Sequence, residues 1–123
     1  MPDPAFVLLY VQNATASAAF YSDLLARKPV ESSPAFAMFI LENGTKLGLW
    51  TRDTVEPAAT MTGGGAELAI AVPDAAAVRA THADWSRRKL AIVQEPTRME
   101  FGLTFVATDP DGHRLRVYTP VSP

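Results

Sequence analysis

No cysteine occurs in the 123-residue chain, so disulfide bridges, thiolate metal sites and cysteine nucleophiles are excluded. An excess of positive charge is missing as well: 11 Lys and Arg stand against 13 Asp and Glu, a net charge of -2. A protein that grips a phosphate backbone needs surplus cations to release counterions, so nucleic acid is not an expected partner. The apolar start from Ala5 to Val11 has no basic leader and is far too short to span a bilayer. A cytoplasmic protein without membrane contact is the expectation. There are only two histidines; His82 falls on a predicted helix and His113 at a turn, so no Ser-His-Asp set is indicated. Both are expected to be structural or exposed.

What is present is an ordinary globular composition, 48% apolar and 20% charged, which fits one domain of about this length. The local basic cluster, Arg87, Arg88 and Lys89, sits where a helix should end and where cations suit the negative pole of its dipole.

Along the chain, Phe6 to Val11 forms a short apolar run that breaks at Asn13. Ala16, Phe20, Tyr21, Leu24 and Leu25 then recur at helical spacing up to Pro29. A short strand near Val30, a second over Phe36–Leu41 and a third over Lys46–Thr51 follow. Asn43-Gly44 between the last two is a hairpin signal, because both residues tolerate positive φ. Residues 54–65, with Pro57 and three consecutive glycines, read as a linker. The same order then restarts: a strand over Glu67–Val72, Asp74 as a helix cap, and a helix from Ala75 to about Arg88 burying Val78, Thr81 or His82, and Trp85. Strands over Leu90–Gln94, Leu103–Thr108 and His113–Thr119 complete it, the last two joined across Asp111-Gly112.

The pattern is βαβββ written twice, an α+β chain with one module over about 4–53 and another over about 66–120. An offset of 61 places Val11 on Val72, Asn13 on Asp74 and Leu24 on Trp85. The hairpin from Asn43 to Thr51 aligns without gaps on Asp111 to Thr119, at an offset of 68. The second half therefore carries about seven extra residues, expected around Glu95 to Gly102. Two such modules can pair so that curved mixed sheets enclose a cavity, within one chain or between chains through the linker, as in a domain-swapped homodimer. An unrelated α+β sandwich with a chance repeat is the competing reading.

Val11-Gln12-Asn13 leading into Ala19-Phe20-Tyr21, and Thr108-Asp109-Pro110-Asp111-Gly112-His113 near the end, resemble the glyoxalase, bleomycin-resistance and extradiol-dioxygenase superfamily, the vicinal oxygen chelate proteins. The resemblance spans nearly the whole chain. It implies paired βαβββ modules, a homodimer, and, in metal-using members, one His, Gln or Glu ligand on the first and last strand of each module. Those positions are held here by Phe6, Gly48, Glu67 and Arg116. Phe6 and Gly48 offer no donor side chain, and Arg116 is a permanent cation. One carboxylate does not make a catalytic metal site, so no metal and no cofactor are expected.

Period-two alternation sends Phe6, Leu8 and Tyr10 to one face of their strand, Gly48 and Trp50 to one face of theirs, and Arg114, Arg116 and Tyr118 to one face of the last. With the family geometry, these residues wall a cavity. Gly48 beside Trp50 leaves a slot in which the indole can present its flat face to a ring, worth about 0.5–1.5 kcal/mol beyond the area term. Trp50 filling the core is the alternative. Glu67 and Arg116 either pair or meet polar groups of a ligand, with pairing expected because an isolated buried charge is costly. Met38, Met61 and Met99 supply adaptable walls or plain packing.

Two functions from different classes fit. The first is non-enzymatic sequestration of a small planar aromatic antibiotic, as in the phenazine- and bleomycin-resistance proteins that the chain resembles. Its binding residues would be Trp50, Phe6, Tyr10, Gly48, Met38, Glu67, Arg116 and Tyr118. The second is a glyoxalase-like lyase or isomerase working without a metal, or less readily with one, in which Glu67 acts as general base and Arg116 stabilises an enolate.

Overall fold

A computed structural model of the chain describes residues 1–61 and 63–120; Thr62, inside the expected linker, lies outside the described residues. The chain forms two compact units, Met1–Gly63 and Gly64–Pro123. The first contains β1 (Phe6–Val11), α1 (Ala14–Leu25), β2 (Glu31–Ser32), β3 (Phe36–Ile40) and β4 (Lys46–Thr51), followed by a single 3-10 turn. The second contains β5 (Glu67–Ala71), α2 (Ala75–Arg87), β6 (Ala91–Met99), β7 (Gly102–Thr108) and β8 (Arg114–Pro120). Each unit is one helix on one four-stranded mixed sheet, with strand orders β1-β4-β3-β2 and β5-β8-β7-β6. Among the described residues no helix is long and apolar enough to cross a membrane.

The repeat extends to the register. Phe6 pairs with Lys46 in the parallel ladder of the first sheet, and Glu67 with Arg114 in that of the second, the positions that the two sequence offsets equate. The helix caps repeat too. Asn13 Oδ1 accepts from the Ala16 N–H at 3.0 Å and Asp74 Oδ1 from the Ala77 N–H at 2.8 Å, each meeting one of the four N–H groups left unpaired at a helix start.

In each sheet one face is covered by its helix and holds the core. In the first unit Val11, Ala37, Phe39, Leu47 and Leu49 are buried; in the second Leu103, Phe105, Ala107, Leu115 and Val117 are. Trp85 and His82 of α2 set their rings edge-on to Phe105, at 5.4 and 5.3 Å between centroids.

Several boundaries differ from the sequence expectation. Helix α1 starts at Ala14 and buries Ala14, Ser17, Ala18 and Tyr21, a stripe turned away from Ala16, which is exposed. Small residues on that stripe let the helix lie close to the sheet, and the larger Phe20, Leu24 and Leu25 flank the contact, half-buried. The Asn43-Gly44 turn is a five-residue connection between Ile40 and Lys46 in which only Gly44 has positive φ, at 89°. Asn43 contributes its side chain, accepting from the Thr45 N–H. Strand β6 runs on to Met99 rather than stopping at Gln94. The extra residues lengthen the β6–β7 hairpin, and two register shifts around Gln94 absorb the mismatch as β-bulges do at a sheet edge.

Candidate functional site

The uncovered face of the first sheet is apolar across three strands. Register aligns Tyr10, Trp50 and Phe36 in one row, Leu8, Gly48 and Met38 in the next, and Phe6, Lys46 and Ile40 in the third. Phe6, Leu8 and Tyr10 are 39%, 44% and 38% exposed, whereas Phe36, Met38 and Trp50 are half-buried. These are residues a sheet ordinarily turns inward, gathered on a face that its own helix does not cover. Tyr10 and Trp50 meet edge to face, 6.3 Å between ring centroids. Lys46 Nζ stands 5.8 Å from the Phe6 ring.

Gly48 does not open a slot beside Trp50. A Cβ at this position would lie 2.7 Å from Phe6 Cε1, 2.7 Å from Leu8 Cδ2 and 3.0 Å from Phe36 Cε1. The room that glycine leaves is filled by side chains of its own unit. Phe6 and Phe36 lean toward each other over it, 6.4 Å between ring centroids.

The corresponding face of the second sheet is polar. Arg116 takes the place in its ladder that Gly48 holds in the first, and its parallel neighbour is Ala69. With Ala69 and Ala71 beside it, the long side chain can lie across the sheet. Its Nε donates to Glu67 Oε1 at 2.7 Å and its Nη2 to Glu67 Oε2 at 3.0 Å, the two-pronged geometry that suits guanidinium and carboxylate. Nη1 donates to Gln94 Oε1 and to Thr104 Oγ1, both at 3.2 Å. Thr104 is fully buried and its hydroxyl donates to the Val117 carbonyl at 2.8 Å. Arg114 lies 3.7 Å from the second Glu67 oxygen. The expected Glu67–Arg116 pair is therefore formed, with Gln94 and Thr104 added to it.

The hydrogen bonds from Arg116 hold the Glu67 carboxyl below its ordinary value of 4.5, and the charges of Arg116 and Arg114 add to this while partial burial opposes it. A general base for carbon acids works best with a pKa near the working pH; Glu67 is displaced in the other direction. The same residues fit a divalent metal poorly. Phe6 and Gly48 have no donor atom in their side chains, and both Glu67 oxygens are engaged by arginine. Among the described residues no group of three His, Asp or Glu side chains is placed to hold a metal ion.

Tyr118 lies on this face as expected, next to Phe101, 6.2 Å between centroids at 76°. Phe101, Gln94, Thr104 and Phe36 are absent from the sequence-based site. Phe36 could have been found, since it has the same strand parity as Met38. Gln94 lies between two register shifts and Phe101 in the extra hairpin residues, where alternation no longer assigns a face. Met61 is largely exposed and Met99 accepts a weak hydrogen bond at Sδ from Gln94, at 3.6 Å. His82 pairs with Glu95 on the helix side of its sheet.

Residues 4–117 match the family described as the Glyoxalase/Bleomycin resistance protein/Dioxygenase superfamily. The chain is 30% identical over 117 residues to the phenazine antibiotic resistance protein EhpR of Enterobacter agglomerans, covering 93% of this chain and 89% of that one. A solution structure of a protein from Agrobacterium tumefaciens is similar at 55% identity and a TM-score of 0.91, over 99% of this chain and 100% of that one. A glyoxalase-related enzyme from Fulvimarina pelagi shares the fold at 22% identity and a TM-score of 0.84, over 97% and 88% of the two chains.

Proposed function

The chain belongs to the glyoxalase/bleomycin resistance protein/dioxygenase superfamily, and from that premise we propose that it is a resistance protein that binds and sequesters a planar aromatic antibiotic of the phenazine kind without transforming it. The observation that carries this reading is the Tyr10–Trp50–Phe36 row on the uncovered face of the first sheet. Flat rings cover such a surface well, and burying apolar area against it is worth about 25 cal/mol per Å², with stacking adding about 0.5–1.5 kcal/mol. The curated relative's name supports the ligand class. Protection comes from lowering free drug, so affinity and abundance matter and turnover does not. In this reading the protein acts as a cytoplasmic homodimer.

Titration with phenazine, followed by tryptophan emission, tests it. Quenching should be saturable in the wild type and reduced in the Trp50→Phe protein to what the remaining Trp85 reports, and Trp50→Ala should bind at least several-fold more weakly. A Trp50→Ala protein that binds as tightly as the wild type would sink the reading. Recovery of chemically unchanged phenazine by mass spectrometry separates sequestration from the lyase or isomerase alternative, to which the lowered pKa of Glu67 lends no support. Light scattering in solution checks the dimer.

A further inference from the structure

We propose that the second unit carries a ring-binding platform of its own, made by Phe101 and Tyr118 beside Arg116, and that it takes a neutral planar heteroaromatic through a single hydrogen bond. This deepens the sequestration reading and rests on it.

Phe101 is 43% exposed and stands at the tip of the β6–β7 hairpin, in the stretch that has no counterpart in the first unit. It belongs to no core, yet it is closely placed. Its ring lies 6.2 Å from that of Tyr118, at 76° to it, and 5.8 Å from the Arg116 guanidinium carbon, so two rings and a cation are gathered at one place on this face.

That placement is fixed by Gly102. The last pair of the hairpin is Met99 with Gly102, and Gly102 also pairs with Pro120 of β8. Its φ of 137° and the distance of 1.8 Å from an added Cβ to the Thr119 carbonyl oxygen show that the backbone here lies against β8 more closely than any side chain permits. A hairpin tip pressed onto the sheet holds Phe101 in position before a ligand arrives, which lowers the ordering penalty of binding.

The donors of Arg116 define the ligand. A guanidinium has five N–H groups. Two go to Glu67, one to Gln94 and one to Thr104, which leaves one N–H on Nη2. A ring nitrogen or carbonyl oxygen needs one donor; a carboxylate seeking a two-pronged contact would have to displace Glu67. The cation is already neutralised by that carboxylate, so the platform selects for a flat ring with a lone acceptor rather than for negative charge.

The probe is phenazine, added to the full-length, isotopically labelled protein. The amide resonances of Phe101, Gly102 and Tyr118 should shift on titration. Phe101→Ala should weaken binding at this face roughly three- to tenfold, and Phe101→Tyr should restore it. Because Phe101 lies outside the core, both variants are expected to fold, and their dispersed spectra will show it. Phenazine that quenches Trp50 but leaves these three resonances in place overturns this inference alone. A wild-type protein that binds no phenazine overturns the functional reading together with it.

Discussion

Arg116 and Glu67, 49 residues apart in the chain, meet edge to edge across β8 and β5, with two N–H groups on two carboxylate oxygens at 2.7 and 3.0 Å. The pair occupies the ladder positions that hold Gly48 and Phe6 in the first unit. One architecture therefore presents an apolar face once and a polar, internally neutralised face the second time.

The Glu67 carboxyl is depressed below 4.5 in the folded protein. Its contribution to stability is complete above the unfolded value and is lost as pH falls through the lower, folded one. Both side chains are partly exposed, so Glu67→Gln should destabilise by about 1–3 kcal/mol near neutrality, between the surface and buried limits. Chemical denaturation at a series of pH values should show that difference shrinking below the unfolded value. A difference that stays constant into strong acid contradicts the pairing.

Thr104 and Glu67 act on the same guanidinium, and their effects should be coupled. Thr104→Val leaves the shape but removes an acceptor for Arg116 and a donor to Val117, for an expected loss of about 1–3 kcal/mol. In a double-mutant cycle with Glu67→Gln, the two losses should depart from additivity by about 0.5 kcal/mol or more. Strict additivity would mean that Arg116 is held by each partner independently.

Two glycines should respond differently to alanine. At Gly48 the atoms nearest the new methyl are the side-chain ends of Phe6, Leu8 and Phe36, which lie on the face away from the helix and can turn aside, so about 1 kcal/mol is expected. At Gly102 it meets the Thr119 backbone oxygen at positive φ, and strain with displacement should exceed about 2 kcal/mol. Thermal unfolding of both variants gives the order; a more damaging Gly48→Ala would reverse the assignment.

The two helix caps should be of similar worth. Asn13→Ala and Asp74→Ala each leave an amide at a helix start without its side-chain acceptor, and each should destabilise by about 1 kcal/mol. Urea midpoints measure this directly, and an unaffected variant would show that water replaces the cap without penalty.

The repeat, the Asp74 cap, the strand cores and the Glu67–Arg116 pairing were legible in the sequence, because alternation, capping residues and the aversion of charge to isolation act over short distances. The tilt of the α1 stripe was not, since it depends on how closely Ala14, Ser17 and Ala18 let that helix approach its sheet. Nor was the filling of the space over Gly48, which required knowing that Phe6, Leu8 and Phe36 all reach it. Phe101 was hidden for a related reason: the register shifts around Gln94 break the alternation that would have assigned its face.

The order of residues by itself determined two βαβββ units, the alternation of faces along β1, β4, β5 and β8, and a set of side chains ill-suited to holding a cation, for these follow from backbone period and from which atoms carry lone pairs. Tertiary structure decided which of those side chains touch. Neighbours in a sheet are chosen by strand pairing between distant segments, and the reach of a long side chain depends on whether the strand beside it offers alanine or something larger.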